Sequence, residues 1–131
     1  AEYETKYKFL PVPHGVKLYS KESLFAGKIH AILCRNWQTR VKGRDLYDYV
    51  FFLKKDIAVN LALLKAKLVE SKVLKIDSDF DIKLLKEMLK NKFALIDYEN
   101  AKRDVSSFLS DTTSLDIWSK EFFESITDNL H

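Results

Sequence analysis

The chain has one cysteine, two prolines, three glycines and one methionine in 131 residues. One cysteine, Cys34, excludes an internal disulfide framework and a cysteine metal cluster within this chain. With three glycines there is no glycine-rich phosphate loop, and GxSxG, HExxH and a Ser-His-Asp order are all missing. No apolar run approaches the roughly 18 residues of a membrane span. The N-terminal AEYETKYKF lacks the apolar core of a signal peptide. A cytoplasmic protein with no membrane partner is the expectation. The first residue is Ala, not Met, and the opening residues already alternate, as though cut from something longer.

What is present is globular: 47% hydrophobic, 13% aromatic and 31% charged residues. The net charge of +3 conceals an asymmetry. Residues 1–55 hold eleven Lys/Arg against five Asp/Glu, giving +6, whereas residues 56–131 hold eleven against fourteen, giving −3. The front half is the half expected to meet phosphate.

Period-2 alternation from Glu4 to Leu10 predicts a strand, Pro11 to Gly15 breaks it, and Val16 to Tyr19 predicts a second strand. Ser20 is a good N-cap for a helix to about Asn36, with apolar positions 25, 29, 32 and 33 on one stripe. A second helix is expected from near Arg44 to Lys54, and further helices at about 59–71, 80–93, 97–109 and 114–129, with Ser78 and Asp97 as caps. The expected fold class is α+β, mainly α: a short N-terminal hairpin or strand pair followed by a bundle of five to six helices. One domain, 1–131, would comprise strands (1–19), two charged helices with a basic loop (20–55) and a structural bundle (56–131).

The chemistry concentrates in residues 23–53. Lys28, His30, Arg35, Arg40, Lys42 and Arg44 fall within seventeen positions, and Asp45 and Asp48 follow at once. Lys28 and Arg35 are seven apart, almost two helical turns, so both cations share a face and can reach one anion. Arg40-Val41-Lys42-Gly43-Arg44 is a basic loop feeding a helix N-terminus, where backbone N–H groups and arginine forks suit phosphate oxygens. Asp45 and Asp48, three apart, share a helix side and suit Mg²⁺ or the ordering of a cation. Equally, Asp45 would complement the helix N-terminus and Asp48 would pair with Arg44. His14 and His30 lack metal-like spacing, so no metal ligand is assigned. Cys34 reads as a small buried hydrophobe, and Trp37, Trp118, Phe122 and Phe123 as core or its rim, with base stacking by Trp37 as the alternative.

As one string, Ser23-Leu24-Phe25-Ala26-Gly27-Lys28, His30-Ala31, Arg35, Arg40 to Asp45 and Tyr47-Asp48 resemble the AbiEii/AbiGii-type nucleotidyl transferase toxins, of the DNA polymerase β-like nucleotidyltransferase superfamily. A weaker likeness covers Pro11 to Tyr19, Ala101 to Leu109 and Leu115 to Phe123. The resemblance implies transfer of a nucleotide from an NTP, with Mg²⁺, to an RNA acceptor such as tRNA, in phage defence beside a cognate antitoxin. It implies Lys28, Asp45 and Asp48 as catalytic residues, and Lys28, Arg35, Arg40, Lys42 and Arg44 as nucleotide- and phosphate-binding. The family's glycine-serine or glycine-glycine loop and its DxD-like metal pair are not found ahead of Lys28; Asp77-Ser78-Asp79 spells DxD but follows it. The resemblance is therefore to the C-terminal portion of such a transferase, expected to be inactive alone. The alternative is a non-enzymatic basic helical module that binds RNA or a partner protein such as an antitoxin.

Overall fold

A computed structural model describes residues 20–131. It contains α1 (Lys21–Cys34), α2 (Gly43–Lys54), α3 (Leu61–Glu70), α4 (Ile82–Phe93), α5 (Tyr98–Ser106), a 3₁₀ turn (Thr113–Leu115) and α6 (Lys120–Thr127). Among the described residues the fold is all helical, so the α+β class is corrected to all-α there. The strand pair expected over 4–19 lies outside the described residues.

Local chemistry sets the helix ends. Ser20, Asn60, Asp81, Asp97 and Ser119 each accept, through the side chain, a backbone N–H three residues on. Such caps satisfy a donor that has no partner within its own helix. Ser78 is not a cap: Asp81 takes that place, because the chain from Leu74 to Phe80 makes turns before α4 begins. The helix expected over 114–129 is split. Trp118 N–H bonds back to the Leu115 carbonyl in a tight turn, and Ser119 then starts α6 afresh.

Helix α1 packs against α2, α3 and α4, while α2 also meets α5 and α4 meets α6. Phe25, Ile29 and Ile32 of α1 are fully buried, at helical spacing. Cys34 is not the buried hydrophobe expected of it. It is exposed, one residue past the buried Leu33, where the apolar stripe of α1 has already turned away from solvent. Trp37 and Trp118 are buried as expected, and the Trp37 indole N–H donates to the Ile32 carbonyl at 2.9 Å.

An aromatic core joins α2, α4 and α6. Tyr49 lies 5.3 Å from Phe93, Phe93 lies 5.2 Å from Phe123, and Trp118 meets Phe123 edge-on at 5.3 Å. The Thr127 hydroxyl donates to the Phe123 carbonyl at 2.7 Å. Its single proton is thereby used, so Tyr49 Oη is the donor of the 2.8 Å bond to Thr127 Oγ1. Burial pushes the Tyr49 phenol well above its ordinary pKa, keeping it a proton donor.

Candidate phosphate site at the α1–α2 seam

Two cross-helix ion pairs stitch α1 to α2. Lys28 Nζ lies 2.8 Å from Asp48 Oδ2, with both side chains about a quarter exposed. At the end of α1, Arg35 Nη2 donates to Asp45 Oδ2 at 2.7 Å, with side chains 18% and 14% exposed. Arg35 is held from other sides as well. Its guanidinium sits 5.7 Å from the centre of the Trp37 ring, and its carbonyl accepts from Lys92 Nζ at 3.5 Å. Arg35 Nε is buried without a hydrogen-bond partner among the described residues.

The seam brings together Lys28, Arg35, Asp45 and Asp48, drawn from two separate segments of sequence. Asp48 pairs across the helices with Lys28, whereas the alternative drawn from spacing paired it with Arg44 of its own helix. Arg44 instead lays its guanidinium over the exposed Phe108 ring, 4.5 Å from the centroid. Arg40 is exposed and Lys42 is the N-cap position of α2. Arg40, Lys42 and Arg44 take no part in either ion pair of the seam.

The N-terminus of α2 does not open as a phosphate cradle at its first residue. The Gly43 N–H donates to Asp104 Oδ2 at 2.8 Å, and a Cβ placed on Gly43 would lie 1.9 Å from the Ala101 carbonyl oxygen. Gly43 therefore serves close packing of α2 on α5, and Asp104 supplies the anion that its N–H attracts. Gly27, next to Lys28, is different: among the described residues a Cβ there would meet nothing within 4 Å.

Sequence reasoning missed two features. Asp104 sits 61 residues from Gly43, a separation that no local pattern bridges. Second, His30 Nε2 lies 2.6 Å from Ser71 Oγ and 3.3 Å from Cys34 Sγ. Desolvation, then the neighbouring Lys67, holds the His30 pKa below its ordinary value.

Asp45 and Asp48 each already face a cation within 2.8 Å, and among the described residues no group of three or more His, Cys, Asp and Glu is arranged to hold a metal ion. The described residues do not by themselves fit a Mg²⁺ site. None of the described helices is long and apolar enough to cross a membrane.

The charged residues of the α1–α2 seam form two cross-helix ion pairs within this helical domain. Residues 2–126 match the family described as nucleotidyl transferase AbiEii toxin, type IV TA system, and the chain belongs to that family. No match to this chain was found among curated proteins or among solved structures. The family is one of toxin nucleotidyltransferases of toxin–antitoxin systems, enzymes that use an NTP and a divalent metal.

Proposed function

We propose that this chain supplies the phosphate-gripping helical part of a nucleotidyl transferase toxin, with Lys28 on the triphosphate and Arg35 beside it. The observation that carries this reading is the seam itself: Lys28 with Asp48 and Arg35 with Asp45 pair across the same two helices in a chain of that family. Nucleotidyl transfer is mainly a matter of positioning and charge neutralisation, which a lysine and an arginine of fixed geometry provide. Asp48 and Asp45 hold these cations extended across the seam before ligand arrives. A triphosphate, with its higher charge, then competes with the carboxylates for the same ammonium and guanidinium groups.

The metal-binding carboxylates belong, in this reading, to residues outside the chain, so the chain alone binds nucleotide without transferring it. The acceptor is RNA, with a tRNA end as the leading candidate, and the setting is cytoplasmic phage defence opposite an antitoxin.

The test is incubation of the full gene product with Mg²⁺, each labelled NTP and total tRNA. Label is expected on the tRNA, and Lys28→Ala is expected to cut it at least about a hundredfold, as loss of one preorganised charge contact does. Undiminished transfer by Lys28→Ala removes Lys28 from the mechanism. One observation favours a second reading. The seam cations are already paired, while Arg40 and Arg44 are exposed on the basic half of the chain. That would suit a non-enzymatic module docking RNA or a partner protein. No transfer by a folded gene product, with RNA retained on the chain, would favour it.

A further inference from the structure

On the other flank of α2 lies a cleft of about 430 Å³, walled by Tyr47 and Phe51 of α2 and by Trp118 and Phe122. Folding leaves apolar surface exposed there: Ile117, on its rim, is 61% exposed and Tyr47 is 37% exposed. The volume lies within the roughly 300–1,000 Å³ range of small-molecule sites. Its position ties it to the seam. Tyr47 immediately precedes Asp48 and Phe51 follows it by three residues, so the cleft wall and the Lys28–Asp48 pair flank one ridge of the same helix.

We propose that this cleft takes the base and ribose of the nucleoside triphosphate whose phosphates lie at Lys28 and Arg35. The inference rests on the reading of the seam as a phosphate site and adds the other end of the same ligand. A nucleobase needs flat aromatic surface to stack on and few polar groups to orient it. Tyr47, Phe51, Trp118 and Phe122 supply the first, and the Asn129 carboxamide at the cleft supplies a donor and an acceptor. A lipid chain or an apolar peptide would use the same apolar surface, but neither has a use for a lysine and an arginine across the ridge. A nucleotide uses both flanks.

The test is calorimetric titration of the chain with ATP, GTP, CTP, UTP and inorganic tripolyphosphate, which carries the phosphates without a base. At least one NTP is expected to bind about tenfold tighter than tripolyphosphate. Ser114→Trp, which fills the cleft, and Ile117→Ser should each bring that NTP to within about twofold of tripolyphosphate, with tripolyphosphate itself unchanged. Both replace exposed residues, and circular dichroism checks that the helices are retained. Lys28→Ala should weaken NTP and tripolyphosphate alike. Equal binding of all five ligands, or an NTP preference that survives both cleft variants, overturns the cleft assignment and leaves the seam standing. Failure of tripolyphosphate and every NTP to bind overturns both.

Discussion

Two faces of α2 follow opposite rules. One face, with Tyr49 and Phe52, is buried against aromatic rings of α1, α4 and α6. The other presents Asp45 and Asp48 to the cations of α1. The first face gains stability from area removed from water and from ring geometry, both unforgiving of lost volume. The second consists of two ion pairs, the more exposed of which contributes little to folding. A helix built this way can have its charged face altered for chemistry while its aromatic face keeps the fold. The contrast predicts a steep gradient of stability effects across a few ångströms.

The largest loss belongs at the aromatic centre. Phe123 is fully buried and meets Phe93, Trp118, Phe122, Tyr98 and Tyr49, so Phe123→Ala should lower unfolding stability by about 3–5 kcal/mol. Urea unfolding followed by circular dichroism measures it, and a loss under about 1 kcal/mol would mean that the rings do not set the fold. Next comes Gly43→Ala. The new Cβ would sit 1.9 Å from the Ala101 carbonyl oxygen, a backbone atom that yields only if α2 and α5 separate. A cost of about 3 kcal/mol, the upper part of the overpacking range, is expected in the same assay.

How much of this was legible depended on range. The Ser20 and Asp97 caps and the buried stripe at 25, 29 and 32 follow from local spacing, and the structure carries all of them. Spacing also put Lys28 with Arg35, and Asp45 with Asp48, on common sides of their helices. It could not say which helix faces which, so Asp48 had Arg44 as its candidate partner when Lys28 of α1 lies 2.8 Å away. A helical period gives an angle around one axis, and a cross-helix pair needs two axes and their separation. Gly43 read as part of a basic loop offering backbone N–H groups to phosphate for the same reason: its tight neighbour, Ala101, is 58 residues distant. The break at Trp118–Ser119 was locally readable, since Ser119 caps Phe122, but the apolar period across 114–129 masked it.

Within the seam the comparison sharpens further. Arg35–Asp45 is the more enclosed pair, so Asp45→Ala strands a guanidinium whose Nε already lacks a partner among the described residues and should cost about 1.5–3 kcal/mol. Asp48→Ala exposes a lysine to more water and should cost under about 1 kcal/mol. Equal costs in parallel denaturation curves would mean that the two pairs are one structural staple rather than a rigid anchor beside a movable lysine.

The smallest effect concerns His30, which shares α1 with Lys28 but turns toward Ser71 and Cys34. Desolvation and Lys67 lower its pKa in the folded state, so the folded protein binds this proton more weakly than the unfolded chain. Its contribution is therefore fully present above the ordinary value of 6.5 and is lost as pH falls through the lowered folded pKa. Stability should fall slightly on acidification below about pH 6.5, and His30→Gln should flatten that dependence. An NMR titration placing the His30 midpoint at or above 6.5 would show that the Lys67 carbonyl and Glu70 outweigh desolvation, reversing the sign.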